Sequence, residues 1–476
     1  MSVKKNFVYS LLLTISNYLF PLITYPYVSR VLGVERIGFC AYIDSIINIV
    51  SLFAMMGVSY VGLRAIAQNK DSKDEMSFIF SNLFTLNLIL CFTTLLIFNI
   101  SLLFVDGFEL YKEYIYWGEF KIFFNIFLIE WLYRGLENFR YITIRSIAIK
   151  IIYVILIFVL VRTKDDMFAY YLLSIFMIAG NFVFNWIYKR HYVNFSFAHL
   201  QLKKFIPKVF SMGVYTILTS VYATFNISML GYLSNNIQVG YYNTSLKIYH
   251  ILTALLTAYS SVMLPRMSSL VKNSNKEEIQ RMLYGIFNLV LILILPLVSF
   301  FFVFADDSVS LMSGQEFMES TKSLRILLLL LIPFAIDQIL VLQILMPYQK
   351  DNVILKNSVV ASTISIIAML LLLPSKGAEG SAWVLLISEL TIMLLSIFYI
   401  CRTMKIQLPF RVCLQRVLYS LPYILIFTLS HMLDDMYIRI IIAIVFGGVY
   451  FIVERIITKD YFYNQMITVY HKFVKE

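Results

Sequence analysis

The sequence reads GFCAYIDSIINIVSLFAMMGVSYVGLR from Gly38 to Arg64, and a related stretch, GYYNTSLKIYHILTALLTAYSSVMLPR, runs from Gly240 to Arg266. The two stretches align at one constant offset, glycine on glycine and arginine on arginine. Each copy is a long, mostly apolar segment that begins at a glycine and ends in a basic loop. An internal repeat of this kind decides the architecture before any finer feature does. We therefore predict two homologous halves, each built from membrane-spanning helices.

The composition places the chain in a membrane. Of its 476 residues, 60% are hydrophobic and 14% are charged, and the mean hydropathy is +0.79. Soluble domains are about 45–50% apolar and about 25% charged. The net charge of +11 does not indicate a nucleic-acid partner, because the basic residues lie in short loops between apolar runs rather than on one soluble face. The four cysteines lack metal-ligand spacing and predict no disulfide framework.

Windows of about 20 apolar residues mark segments long enough to cross a hydrocarbon core of about 30 Å. Backbone groups cannot remain unpaired in lipid, so these segments are predicted to be helices rather than open strands. The fold class is therefore all-α and integral to the membrane, with about fourteen transmembrane helices. The predicted spans are roughly 7–31, 38–62, 79–104, 115–136, 141–161, 167–188, 208–232, 239–265, 282–304, 323–346, 353–374, 378–401, 416–433 and 436–457.

The loops predict the orientation. With the amino terminus inside, the inward segments hold 27 lysines and arginines and the outward segments hold eight. This excess follows the positive-inside rule, so both termini are predicted to be cytoplasmic.

The longest polar connection, KRHYVNFSFAHLQLKK at residues 189–204, separates the sixth and seventh predicted spans. We predict an N-terminal six-helix lobe at 1–195, a C-terminal six-helix lobe at 196–405, and an extra helix pair with a cytoplasmic tail at 406–476. Six spans return the chain to its starting side, so the repeats have the same topology and are related by an axis along the membrane normal.

Polar residues recur at helical spacing in the first two spans of each half, which predicts that these four helices face a central cavity. The alternative is that serine, threonine and asparagine only join neighbouring helices. Ionisable residues at membrane depth are costly and mark candidate functional sites. The candidates among the charged residues inside the predicted spans are Asp44, Lys121, Glu130, Lys150, Lys247, Asp337 and Glu389.

Structural roles also remain open for several of these charges. Lys121 is near a helix end and could extend to the interface. Glu130 and Arg134 are spaced for an i,i+4 ion pair. Asp44 and Lys247 occupy nearly equivalent positions in the two copies, where they could pair with each other or act separately on a cation and an anion.

The opening NYLFPLITYPYVSRVLGVERIGFCAY, followed by MMGVSYVGLRAIA, resembles the Wzx-type flippases of the polysaccharide transporter family. The resemblance extends through the whole chain. It implies the multidrug/oligosaccharidyl-lipid/polysaccharide exporter fold, similar to that of the multidrug exporters called MATE proteins. Two pseudo-symmetric six-helix lobes would surround a cavity with alternating access, and two further helices would follow.

The resemblance also implies a function and partners. The substrate would be an oligosaccharide linked to undecaprenyl pyrophosphate. It would be moved from the cytoplasmic to the outer leaflet of a bacterial inner membrane for O-antigen, capsule or exopolysaccharide synthesis. Membrane lipid and other membrane proteins of polysaccharide assembly would be further partners.

Such a substrate assigns roles to the polar residues of the predicted cavity. A pyrophosphate requires basic groups in place of water, and sugars require hydrogen-bonding groups. A buried carboxylate could carry a coupling proton or sodium ion. The candidates are Arg30, Lys121, Lys150 and Lys247 for the pyrophosphate, Asn48, Asn226 and His250 for the sugars, and Asp44 and Glu389 for the ion.

Two other functions remain open at this point. A drug or cation exporter of the MATE type would favour a more acidic cavity, and a membrane polymerase or acyltransferase would need a catalytic set. No nucleophile–histidine–acid set, metal-spaced cluster or G-x-x-x-x-G-K-[ST] loop occurs in the sequence. We therefore predict a transporter rather than an enzyme, with no cofactor and no direct coupling to ATP.

Overall fold

A computed structural model describes residues 3–104, 108–198, 200–272 and 276–458. These residues form helices joined by short connections and contain no strand, as expected for an all-α membrane protein. The α-helices are α1 (Val3–Met55), α2 (Val58–Gln68), α3 (Lys73–Leu102), α4 (Lys112–Leu128), α5 (Glu130–Gly135), α6 (Phe139–Leu160), α7 (Met167–Tyr188), α8 (Leu202–Leu233), α9 (Asn236–Lys272), α10 (Lys276–Val303), α11 (Ala305–Ser313), α12 (Ser320–Ile339), α13 (Asp351–Tyr399), α14 (Phe410–His431) and α15 (Met436–Thr458).

Two of the longest helices are broken by a glycine. The backbone of α1 leaves the helical region at Gly33, with φ 78°, and that of α13 does so at Gly377, with φ 51°. Side chains with a β-carbon rarely adopt such φ values, so each glycine permits a sharp change of direction inside a helix. The break at Gly33 falls between the predicted spans 7–31 and 38–62, and that at Gly377 between 353–374 and 378–401.

Nine helical stretches among the described residues are long and apolar enough to cross a membrane. The stretch containing α1 and the stretch containing α13 each include one of the glycine breaks. Helix α4 has only 17 residues and is not among the nine. Apolar helices long enough to cross a membrane are therefore present among the described residues, while the number fourteen stays a prediction.

The described residues divide into two compact units. The first unit comprises residues 1–243, 312–316 and 369–381, and the second comprises residues 244–311, 317–368 and 382–476, each within the described ranges. The division into 1–195, 196–405 and 406–476 stays a prediction. The tail at 459–476 lies outside the described residues.

The helix surfaces explain the composition. Large apolar side chains remain exposed along the helices, for example Leu371 at 70%, Leu425 at 62% and Ile155 at 56%. A soluble protein cannot present such surfaces to water over most of its helices, whereas acyl chains cover them at no cost. Polar and charged groups lie inside, and they form the candidate site.

Candidate transport site

The two copies of the repeat meet through their leading glycines, within the first unit. A β-carbon on Gly38 would lie 1.7 Å from the carbonyl oxygen of Asn236, and one on Gly240 would lie 2.3 Å from that of Val34. Asn236 precedes Gly240 by four residues, and Val34 precedes Gly38 by four. The contact is therefore reciprocal, and each glycine leaves room for one backbone carbonyl of the other copy.

Hydrogen bonds at equivalent positions support this contact. Glu316 Oε1 accepts from the backbone N–H of Val34 at 3.0 Å. At the equivalent position of the second copy, the Nδ2 of Asn236 donates to the hydroxyl of Tyr111 at 3.0 Å. A side chain from elsewhere in the chain thus binds the residues just before each copy. It is the carboxylate of Glu316 at the first copy and the hydroxyl of Tyr111 at the second.

The first copy also contributes Asp44 to a polar group inside the first unit. Lys121 Nζ of α4 lies 2.5 Å from Asp44 Oδ1 of α1 and 4.2 Å from the ring centroid of Tyr171 on α7. The lysine side chain is 9% exposed and the aspartate side chain 40% exposed. Lys121 is therefore buried within the protein rather than extended to the interface, and the two charges compensate each other.

Lys150 on α6 has a different environment. Its Nζ donates to Ser16 Oγ at 2.9 Å and to Asn17 Oδ1 at 2.5 Å, both on α1, and lies 5.8 Å from the ring centroid of Phe20. The residue is 9% exposed. No carboxylate of the described residues forms an ion pair with it. Neutral oxygens thus hold a buried lysine in place without neutralising its charge.

Glu130 is the carboxylate that acts electrostatically on Lys150. It already forms ion pairs with two arginines. Glu130 Oε2 accepts from Arg134 at 3.2 Å, and Glu130 Oε1 accepts from Arg145 at 2.9 Å. Arg145 also donates to the side-chain oxygen of Asn185 on α7. The i,i+4 pair predicted from the sequence is thus present, within a larger network in which two arginines, and not Lys150, form ion pairs with Glu130.

The candidates from the second half have varied environments. Lys247 is half-buried, and it lies close enough to the exposed His250, one turn further along α9, for its charge to act on the imidazole. Asn226 is fully buried, and its Nδ2 donates to the hydroxyl of Tyr242 at 3.0 Å and to the carbonyl of Ser381 at 2.9 Å. The amide of Asn226 therefore joins helices within the first unit.

Asn48 and Arg30 belong to the first half and are both exposed. Arg30 Nη1 donates to the carbonyl of Pro26 at 2.7 Å, which directs the guanidinium back along its own helix.

The second unit contains two buried carboxylates that interact electrostatically. Asp337 on α12 is 8% exposed and Glu389 on α13 is 7% exposed, and the two interact electrostatically. Like charges repel strongly in a low-dielectric interior, and binding of a proton or a cation relieves this repulsion. The sequence marked both residues as intramembrane charges, but only their proximity makes them a pair.

Sequence reasoning missed two partners. Ser16 holds Lys150, and Tyr171 covers Lys121, yet neither residue belonged to the predicted polar stripes. Asn17 belongs to the polar residues at helical spacing in the first predicted span, with Ser10, Thr14 and Thr24. Its position directly after Ser16 was the available signal. The sequence-predicted residues are thus distributed between the two units, with Asp44, Lys121 and Lys150 in the first and Lys247, His250 and Glu389 in the second.

Residues 3–271, which include both copies of the repeat, match the family described as "Polysaccharide biosynthesis protein". The chain belongs to this family. The membership confirms the resemblance to polysaccharide transporters that the opening motif indicated. The matched region covers more than half of the chain and includes every helix that carries Asp44, Lys121, Lys150, Lys247 or His250.

This chain is similar to a protein of Shigella dysenteriae that is named "Putative O-antigen transporter". The two are 26% identical over 405 residues, which cover 82% of this chain and 98% of the relative. Among solved structures, "Lipid II flippase MurJ, inward closed conformation" has a TM-score of 0.73 at 15% identity and covers 97% of this chain and 99% of that chain.

A second solved structure, described as an outward-facing conformation of a multidrug resistance MATE family transporter of the MOP superfamily, has a TM-score of 0.55 at 16% identity and covers 83% of this chain and 94% of that chain. These likenesses confirm the predicted multidrug/oligosaccharidyl-lipid/polysaccharide exporter fold.

Proposed function

We propose that this protein moves oligosaccharides linked to undecaprenyl pyrophosphate from the cytoplasmic to the outer leaflet of a bacterial inner membrane, by alternating access. The product would supply O-antigen, capsule or exopolysaccharide synthesis, and both termini would lie in the cytoplasm. Membership of the polysaccharide biosynthesis family and the name of the Shigella relative support this class of substrate.

The single observation that carries the proposal is the state of Lys150. A buried ammonium without a counter-ion is costly in a membrane protein, so its retention needs a reason. A pyrophosphate would supply the missing negative charge, and the ammonium would replace the water that the pyrophosphate loses. Lys150 is therefore our first candidate for the pyrophosphate, whereas Lys121 is already neutralised by Asp44.

The remaining candidates take secondary roles in the proposal. Lys247 and Arg30 would bind the pyrophosphate at other stages of transport. Asn48 and His250 are exposed and offer hydrogen-bonding groups suited to sugar hydroxyls. Asn226 would reach a sugar only after its bonds to Tyr242 and Ser381 open.

Ion coupling would use a carboxylate that changes its occupancy during transport. Asp337 with Glu389 is the stronger candidate because both carboxylates are buried and interact electrostatically, which favours binding of a proton or a cation. Asp44 is weaker because Lys121 already compensates it. Transport that still responds fully to proton and sodium gradients after Glu389→Gln and Asp44→Asn would remove both residues from this role.

The function is tested by replacing the flippase of a bacterial strain with this gene and analysing the surface polysaccharide. We expect the protein to restore at least one polysaccharide that is assembled on a lipid pyrophosphate. Uptake into vesicles of a lipid-linked oligosaccharide and of an organic cation would be measured in parallel. Uptake of the cation alone, together with failure to restore any polysaccharide, would identify a cation exporter instead.

A further inference from the structure

A cavity lies on the surface of the first unit. It has a volume of about 670 Å³ and lies between α6, α7 and the turn that precedes α6. Its volume is within the range of about 300–1,000 Å³ that is usual for small-ligand sites. One end is lined by Arg140, Tyr188 and Tyr192, and the other by Ala148, Ile152 and Phe184.

The cavity follows one face of α6. Arg140, Ile144, Ala148 and Ile152 line it at intervals of four residues, which places them in one row along the helix. The row covers twelve residues, or about 18 Å at 1.5 Å per residue. It begins at the end of α6 that the sequence predicts to be cytoplasmic and continues toward the middle of the membrane.

The inner part of this cavity is apolar and opens outward. Ile144, Ile152 and Phe184 are 54%, 47% and 55% exposed. Exposed apolar side chains on a membrane helix are covered by acyl chains. The cavity therefore offers an acyl chain a recess along the helix, and the recess leads directly to the polar end.

The polar end carries excess positive charge. Arg140, Arg145 and Glu137 line it. Ion pairs connect Arg145 and Glu137 to three charged groups beyond the lining, Glu130, Arg134 and Lys70. Glu137 lies 3.9 Å from Lys70, and Glu130 is shared by Arg134 and Arg145. The four cations and two carboxylates of this group leave a net charge of about +2. The exposed Arg140 belongs to no ion pair among the described residues.

Hydroxyl groups complete the polar end. Asn138 Nδ2 donates to the hydroxyl of Tyr192 at 2.9 Å, which leaves the proton of that hydroxyl for another acceptor. The Tyr188 hydroxyl lies 3.5 Å from it, and the Tyr188 ring stacks on Tyr141 with centroids 3.9 Å apart. The tyrosines are therefore held in place beside Arg140 as donors for an oxyanion.

We propose that this cavity binds an anionic phospholipid of the bilayer, with its phosphate at Arg140 and the two tyrosine hydroxyls and one acyl chain along Ala148 and Ile152. An ammonium or guanidinium group near a membrane surface attracts anionic lipid, and the arrangement of a cationic end beside an apolar recess matches a lipid rather than a free phosphate. This lipid is distinct from the transported substrate.

Native mass spectrometry of the full-length protein, titrated with phosphatidylglycerol and with phosphatidylcholine, tests the proposal. We expect phosphatidylglycerol to bind more tightly to the wild type. Arg140→Gln should weaken phosphatidylglycerol binding by about fivefold and leave phosphatidylcholine unchanged, since one cation near the surface contributes about that much. Ala148→Phe should fill the recess and weaken both lipids.

Arg411→Gln is the matched control, because Arg411 is exposed, is predicted to lie on the same side of the membrane and does not line the cavity. Its lipid binding should equal that of the wild type. Melting temperatures of all variants would show whether each one folds. Unchanged phosphatidylglycerol binding in both cavity variants would overturn the proposal, and so would equal weakening by Arg411→Gln.

Two further ligands separate the possible sources of the phosphate. Glycerol phosphate should not bind measurably, because it lacks an acyl chain. Undecaprenyl phosphate should not displace phosphatidylglycerol from the wild type. Displacement would contradict the proposal, since the cavity would then belong to the substrate. Neither result depends on which polysaccharide the protein restores in cells.

Discussion

The two copies of the repeat share their packing positions and differ in their charges. Gly38 and Gly240 form one reciprocal contact, in which neither position has room for a β-carbon. Lys247 lies seven residues after the first glycine of the second copy. Asp44 lies six residues after the first glycine of the first copy, so the two charges are one position apart in the alignment. The first copy also breaks between α1 and α2, at residues 56–57, while α9 continues without a break from Asn236 to Lys272.

The duplication therefore explains the packing of the two copies but not the positions of the charged residues. The close approach of two backbones tolerates only glycine, so both copies have it. The interior positions are free to differ because each is satisfied by its own neighbours. Asp44 is satisfied by Lys121 of α4. Lys150, a buried lysine with no ion pair among the described residues, lies on α6, outside the two copies.

The largest effect is expected where the copies meet. Gly38→Ala and Gly240→Ala each place a methyl group against a backbone carbonyl that cannot rotate away, so the helices must separate. Overpacking of this kind costs about 1–3 kcal/mol or more. Melting temperature and transport of a lipid-linked oligosaccharide should both fall clearly in each variant.

Gly448→Ala provides the control, because a β-carbon at Gly448 of α15 would meet no atom within 4 Å. That variant should be at least as stable as the wild type, since alanine favours a helix more than glycine does. Equal melting temperatures for Gly38→Ala and Gly448→Ala would contradict the reciprocal contact.

An intermediate effect is expected at the ion pair of the first copy. Lys121→Met removes the cation and leaves Asp44 partly exposed, and Asp44→Asn leaves the buried Lys121 without its counter-charge. The second change should cost more, up to about 3 kcal/mol, because the lysine is the buried partner. Unfolding of each single variant and of the double variant would form a double-mutant cycle.

The double variant Asp44→Asn/Lys121→Met should recover part of the stability lost in Asp44→Asn. If the two single changes add without any coupling, then Asp44 and Lys121 do not form the pair described here.

The smallest effect is expected at a pair of equivalent, partly exposed positions. Arg36, two residues before the first copy, donates to Asp165 at 3.2 Å. Gln238, at the equivalent position before the second copy, accepts from the backbone N–H of Ala378 at 2.8 Å. Asp165 is 92% exposed, so Arg36→Ala should change the free energy of unfolding by less than about 1 kcal/mol. Gln238→Ala should cost more, because it removes the acceptor of a part-buried N–H. If Arg36→Ala lowers the free energy of unfolding more than Gln238→Ala does, the two equivalent positions do not differ in environment as described here.

Much of the fold was predictable, and the reason is physical. Apolar length, loop charge and an internal repeat depend on local sequence, and they indicated the membrane class, the duplication and the break near Gly33. The paired glycines were visible as the first residue of each copy. Their contact was not, because it joins residues about 200 positions apart.

The site was less predictable because partner choice depends on packing. The sequence marked Asp44, Lys121, Lys150 and Glu389 as intramembrane charges, but it offered no way to tell that Lys121 is paired and Lys150 is not. Serine and asparagine next to one another in an apolar helix are common. Only the approach of α6 to α1 turns Ser16 and Asn17 into ligands of a lysine.

The most direct test measures binding of undecaprenyl pyrophosphate to the purified protein and its variants. We expect Lys150→Met to weaken binding by about tenfold or more, as loss of a charged hydrogen bond to phosphate does, and Lys150→Arg to retain most of it. The double variant Asp44→Asn/Lys121→Met should bind as the wild type does, because it removes a neutral pair. Wild-type affinity in Lys150→Met, with loss of affinity in the double variant, would contradict the account.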